Sequence, residues 1–404
     1  MDPKYEELDN LGKWGEILDL SASELDISIE AKYWHVYALS RLQKPEEAIS
    51  FLSQHEAEIL SHPEWIPKFK VREGIIYASS DPHKFSDLMY SAIQLADKIG
   101  DDETSARCYL NLGYHYLLLG DYPQSIDYSL KAIKILENLT NVATLGLTHI
   151  NLGNAYAQNG DYELAKENFD KGLELCRLQG NVPFLAKGCY YLINELPNNT
   201  TQASIEKYVQ TVQRLAIANN NPLILTLDDY CQAVYLKLSK RSKDKSDAER
   251  LFIKIIEESK VDYDINLYSM FHLLELLLIE YRTYKEDVVL DEIELYISQM
   301  YEISTKKKMY SWIVKSSILQ SRLFAIKGKL EDSYKLLEDT LEFTKKNRLY
   351  SYKEDIVNEK NLLDSQFEDM KKLIDENSSL NDRMDQMQML AYLQKAENIV
   401  SGSI

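Results

Sequence analysis

The sequence predicts an all-α protein assembled as an array of about eight helix pairs. Three observations carry this reading. The chain has 14 glycines and 9 prolines in 404 residues, about half the usual share and too few for the turns of an all-β fold. Residues 111–122 (Asn-Leu-Gly-Tyr-His-Tyr-Leu-Leu-Leu-Gly-Asp-Tyr) return 40 positions later as 151–162 (Asn-Leu-Gly-Asn-Ala-Tyr-Ala-Gln-Asn-Gly-Asp-Tyr). Helical apolar spacing also persists where the glycines vanish, as in Leu223, Leu227, Tyr230, Val234 and Leu238, the signature of one buried helix face. A repeat array grows without a single central core, so the length does not demand several domains.

The repeated positions have physical reasons. Gly113 and Gly153 lie inside amphipathic helices, where glycine costs about 1 kcal/mol against alanine. That cost is acceptable if a neighbouring helix must approach closely. Gly120 and Gly160 end those helices, where a left-handed residue is wanted. Asp121 and Asp161 suit the start of the next helix as caps. Small residues in the second helix of each pair, Ser125 and Ala132, then Ala165 and Gly172, permit close packing. Weaker copies extend both ways, through Gly74, Tyr77 and Ala92, through Ala38 and Ala48, and through Ala325, Gly328, Ser333 and Leu337. Ser246 with Glu249 has the spacing of a capping box that opens another helix. The pairs are expected near 29–59, 66–99, 103–138, 142–179, 182–219, 222–260, 264–306 and 309–348.

Three regions follow: N-terminal capping helices at 1–28, the array at 29–348, and a helical tail at 349–404. The tail carries Ile356, Leu363, Phe367, Met370 and Ile374, then Leu380, Met384, Met387, Leu390 and Leu393. Asn377-Ser378-Ser379 reads either as a break with a fresh N-cap or as a polar register position in a coiled coil. The preferred expectation is a monomer whose tail caps the last pair near Leu337 and Leu341; a dimer through the tail is the alternative.

The repeat resembles the tetratricopeptide (TPR) repeat on Leu-Gly-x-x-Tyr followed by the Gly-Asp-Tyr turn. The units run nearer 40 residues than 34, as in kinesin light chains and many signalling TPR proteins. The resemblance implies a right-handed superhelix, an α-solenoid of A and B helices, with A helices lining a concave protein-binding groove. Carried onto this register, the groove positions include Arg107, Asn111 and Tyr114, then Asn151, Asn154 and Gln158, then Lys187, Tyr191 and Asn194. Asn111, Asn151, Asn154 and Asn194 form a ladder. An Asn amide both donates and accepts, so a ladder can grip a peptide backbone without reading its side chains. Carboxylate-clamp TPRs bind chaperone tails, but here only Asn151 and Lys187 fit their pattern, while Leu110, Tyr114 and Tyr191 do not.

Composition and missing motifs set the function class. With 46 basic against 64 acidic residues the net charge is −18, which disfavours nucleic acid and anionic membranes. The most apolar stretch, 271–279, is too short to span a bilayer. Met1-Asp2-Pro3-Lys4-Tyr5 opens no signal peptide, and Cys108, Cys176, Cys189 and Cys231 show no metal or redox spacing. A cytoplasmic protein is expected. No nucleotide-binding, hydrolase or zinc-protease motif occurs, so no enzyme, cofactor or metal is expected. His115 and His149 are read as core or groove residues. The 28 tyrosines serve either repeat packing or a peptide groove. The expected function is a scaffold or adaptor that holds a peptide or helical segment of a partner protein. The alternative is a TPR signalling regulator that senses a small peptide and controls an output protein.

Overall fold

A computed structural model describes residues 2–78, 81–139, 142–194, 201–258, 263–347 and 349–393. These residues are overwhelmingly helical, and strand is absent among them. Two helices open the chain, α1 (Pro3–Asn10) and α2 (Trp14–Ser23). The pairs follow: α3 (Ile29–Arg41) with α4 (Pro45–Gln54) and the short α5 (Glu56–Leu60), then α6 (Ile66–Tyr77) and α7 (Pro82–Ile99). Next come α8 (Asp102–Leu118) and α9 (Tyr122–Leu136), α10 (Val142–Gln158) and α11 (Tyr162–Leu178), and α12 (Val182–Asn194) and α13 (Gln202–Ala218). The series continues with α14 (Pro222–Lys237) and α15 (Ser242–Glu258), α16 (Tyr263–Tyr284) and α17 (Asp287–Lys306), and α18 (Tyr310–Ile326) and α19 (Leu330–Lys346). The tail forms α20 (Tyr350–Asp375), α21 (Leu380–Gln386) and a further helical turn at 389–393. This is an all-α solenoid of helix pairs.

The repeat glycines act as close-approach points. A Cβ on Gly113 would stand 2.7 Å from Ser129 Oγ, and one on Gly172 would stand 2.8 Å from the Gly146 carbonyl oxygen. Any side chain there would push the A and B helices apart. Gly120 and Gly160 are left-handed at φ +74° and +89°, as their place after a helix requires. Between such contacts lies an apolar filling. Val71, Phe85, Met89, Ala92, Ile93, Cys108 and Leu112 form one buried cluster. Full burial of each larger member contributes about 1.5–3 kcal/mol.

Several local details differ from the sequence expectation. Asp161 accepts from Asn159 Nδ2 at 2.7 Å and makes no side-chain cap on α11. α15 begins at Ser242, four residues before Ser246, so the Ser246–Glu249 spacing lies inside a helix and opens nothing. Most tyrosines serve packing: Tyr116 stacks on Tyr128 at 5.4 Å and Tyr5 on Trp34 at 5.3 Å.

The chain divides into two compact units. The first comprises Met1–Leu117, Tyr122–Ile193 and Gln210–Leu227; the second comprises Leu118–Asp121, Asn194–Val209 and Asp228–Ile404. Within the first, α1 and α2 do more than precede α3. Asn181 and Asn221 each use Oδ1 to cap a helix, bonding Phe184 N at 3.0 Å and Leu223 N at 2.8 Å. Their Nδ2 groups donate to Asn10 Oδ1 and to the Gly12 carbonyl, and Asn219 Nδ2 donates to the Leu11 carbonyl at 2.7 Å. The turn between α1 and α2 is thus tied to the turns that open α12 and α14.

Within the second unit, α20 packs on α19 and α18 and buries Ile356, Leu363 and Met370, with Phe367 against Tyr334. Asn377 turns left-handed at φ +52°, and Ser379 caps α21 by accepting from Asp382 N. The Asn-Ser-Ser segment is a break with a fresh cap.

Candidate peptide-binding face

Helical periodicity puts the expected groove residues on single faces. Arg107, Asn111 and Tyr114 are spaced i, i+4, i+7 on α8; Asn151, Asn154 and Gln158 are spaced i, i+3, i+7 on α10; Lys187, Tyr191 and Asn194 repeat the first spacing on α12. The last of these, Asn194, belongs to the second unit.

Each residue has a distinct environment. Arg107 pairs with Glu103 at 2.9 Å, one turn back on the same helix. Asn111 donates Nδ2 to the Arg107 carbonyl at 2.7 Å, which occupies one donor and leaves the side-chain oxygen. Tyr114 is half-buried. Asn151 and Asn154 are 5 % and 7 % exposed, and neither side chain has a hydrogen-bond partner among the described residues. Gln158 accepts from the hydroxyl of Tyr122, the first residue of α9, at 3.3 Å. Lys187 Nζ lies 5.6 Å from the centroid of Tyr191, a cation–π contact one turn apart. Tyr191 is buried against Tyr190.

Asn194 serves a different purpose. Its Oδ1 accepts from the Tyr230 hydroxyl at 2.7 Å. Tyr230 in turn lies 2.8 Å from His272 Nε2, and Lys237 bridges His272 Nδ1 at 2.9 Å and Glu275 at 2.7 Å. This network is an internal polar core of the second unit. Asn194 Nδ2 is buried with no acceptor. Helical spacing thus groups Arg107, Asn111 and Tyr114 on α8, Asn151, Asn154 and Gln158 on α10, and Lys187 and Tyr191 on α12 of the first unit.

A cluster not expected from the sequence lies beside Arg107. Arg72, 7 % exposed, directs Nε to the Tyr33 hydroxyl at 3.0 Å and sits 4.3 Å over the Tyr37 ring. Arg41 lies 4.4 Å over Trp14 with its Nε buried and without an acceptor. A shallow cleft next to them is lined by Tyr33, Lys68, Val71, Glu103, Thr104 and Arg107. The four-residue spacings Tyr33/Tyr37 on α3 and Lys68/Arg72 on α6 were the available signal, since each places an aromatic or a cation pair on one helix face.

Other chemistry is sparse. Burial, aided by the neighbouring Cys189, pushes the Cys176 thiol up to about 12; burial, with Asp101 and Asp97 nearby, does the same to Cys108. Neither is a thiolate nucleophile at neutral pH. His115 is buried against Phe85 at 4.5 Å, and His149 Nδ1 meets Asn168 Oδ1 at 2.9 Å. Among the described residues no group of three or more His, Cys, Asp or Glu side chains could hold a metal, and no helix is long and apolar enough to cross a membrane.

Comparison with known proteins bears on the family. Two family models described as "Tetratricopeptide repeat" match, one at residues 106–138 and one at 147–177. The matched segments coincide with α8–α9 and α10–α11. Among curated proteins none matches. A solved structure of a Rap protein complexed with Competence and Sporulation Factor is similar over 86% of this chain and 98% of its own. Its sequence identity is 12% and its TM-score 0.48. The repeat, the A–B pairing and the two family matches agree. The chain carries tetratricopeptide repeats, matched at residues 106–138 and 147–177.

Proposed function

We propose that this protein is a non-enzymatic adaptor of the cytoplasm, and that the A-helix face of α8, α10 and α12 in the first unit holds an extended segment of a partner protein. One observation carries the reading. Asn151 and Asn154 are sheltered, 5 % and 7 % exposed, yet have no hydrogen-bond partner among the described residues and no amide atom among the fully buried ones that lack a partner, so both remain available to a ligand. An extended peptide offers alternating N–H and C=O groups, and an Asn amide satisfies both. Asn111, one unit earlier, keeps its side-chain oxygen toward the same use.

The test begins with affinity capture and mass spectrometry to obtain the partner. A titration of that partner's peptide then compares the natural chain with Asn151→Ala/Asn154→Ala. Each lost backbone bond costs about 0.5–1.5 kcal/mol, so the pair is expected to weaken binding by ~5–150-fold with the fold intact. Equal affinities would remove the asparagines from the binding face.

A further inference from the structure

The tail of the second unit does more than follow α20. The break at 376–379 turns the chain back so that 380–393 lies against the first helices of successive pairs. α21 packs on α20 and α18. Asp385 pairs with Arg282 of α16 at 3.0 Å, and Arg383 Nη1 reaches the Ile326 carbonyl at the end of α18. Met384, Met387, Met389, Tyr392 and Leu393 are all buried. The segment therefore occupies the A-helix side, the side that a TPR unit offers to ligands.

Arg322 of α18 organises the contact. It is 5 % exposed. Its Nε and Nη2 grip Glu359 of α20 at 2.7 and 2.6 Å. Its Nη1 donates to the carbonyls of Met387 at 2.7 Å and Gln388 at 3.0 Å, and its guanidinium carbon lies 4.4 Å over Tyr392. Those carbonyls lie in the turn between α21, which stops at Gln386, and the helical turn at 389–393, where Gln388 also accepts from Tyr392 N at 2.8 Å. An arginine there holds a turn through its backbone carbonyls alone, a charge-assisted contact. The apolar contacts are largely methionine, the side chain that adapts most readily to alternative partners. α21 itself has seven residues, too short to persist as a helix without its dock.

We propose that the A-helix face of α16, α18 and α20 is a docking surface for a short amphipathic helix, and that residues 380–393 fill it in cis. The partner that fits is a helical segment with methionine or aliphatic residues on one face, an acidic residue toward Arg282, and a turn whose backbone carbonyls meet Arg322. Such a helix binds by displacing the tail. The surface lies in the second unit, so the proposal stands apart from the asparagine face of the first.

The probe is a fluorescent synthetic peptide of residues 379–393, titrated by anisotropy into the full chain and into full-chain Met384→Asp/Met387→Asp. The natural tail competes at an effective concentration on the order of mM, so the variant is expected to bind the peptide at least ~10-fold more tightly. A peptide bearing the same two substitutions is expected to bind neither protein. Equal binding to both proteins, or binding to neither while helicity and cooperative unfolding are retained, overturns the proposal and leaves the segment a fixed cap. Dimerisation of the variant in light scattering overturns it in favour of a second copy as occupant. Hydrogen exchange on the natural chain covers a variant that fails to fold. Amides of 380–393 are expected to exchange at least ~10-fold faster than those of α18 through local opening; exchange only in step with α18 overturns the proposal.

Discussion

The first unit presents asparagine amides on α10 that lack partners among the described residues, whereas the A helices of the second unit carry a segment of the chain itself, held by a fully engaged arginine. Both faces come from the same helix-pair construction, so the pairing alone does not decide what a face can do. The difference lies in how polar groups are satisfied. Arg107 spends its charge on an i, i+4 neighbour, a local pair that leaves the surroundings open. Arg322 spends its donors on residues 37 and 65 positions away, which closes the face.

The sharpest way to break this contrast is to remove each arginine. Arg322→Ala leaves Glu359 buried without its counter-charge and is expected to cost about 3–5 kcal/mol. Arg107→Ala removes a half-exposed helix pair and is expected to cost about 0.3–0.5 kcal/mol. Urea unfolding of the two variants measures both; similar losses would mean that the two faces are held alike.

A titration sharpens the comparison from within the first unit. Burial, with His83 nearby, lowers the His115 imidazole to about 4. The unfolded chain binds that proton near 6.5, so between 6.5 and 4 the unfolded state holds more protons than the folded one. The stability that comes from a neutral His115 is complete above about 6.5, falls as pH drops toward 4, and amounts to about 3 kcal/mol. The difference in stability between pH 7 and pH 4.5 is expected to be smaller for His115→Leu than for the natural chain. A variant that retains the full slope would assign it to other groups.

The asparagines should behave in the opposite way to Arg322. Asn151→Ala/Asn154→Ala breaks no hydrogen bond among the described residues, so its unfolding midpoint is expected to stay within about 0.5 kcal/mol of the natural chain. A large loss would show these amides to be structural. A small effect is also expected at Arg282→Ala, whose exposed pair with Asp385 contributes about 0.2–1 kcal/mol. It should register as a modest rise in hydrogen exchange over 380–393.

The sequence by itself determined the helix pairs, their limits and the glycines between them. These depend on spacing within one helix or across one turn, where apolar period, caps and close-approach residues are all local. Eight pairs were legible in this way, including those at 182–219 and 222–260 that carry few of the repeat's own residues. The 40-residue spacing also carries a register from α8 to α10, which places Asn111 and Asn151 at one position of their helices. The roles of individual residues were not. Asn194 has the same place in its unit as Tyr114 and Asn154, yet Tyr230, 36 residues on, draws it into a buried network. Ser246 and Glu249 have capping-box spacing, but α15 had already begun. Nothing local announces that Asn219 and Asn221 hold the turn at Leu11–Gly12, or that Met387 and Gln388 end on Arg322. Such contacts join residues 65 to 209 positions apart. Only the tertiary structure decides them, because a polar group takes the partner that folding brings within 3 Å, and the distance along the chain places no mark on either residue.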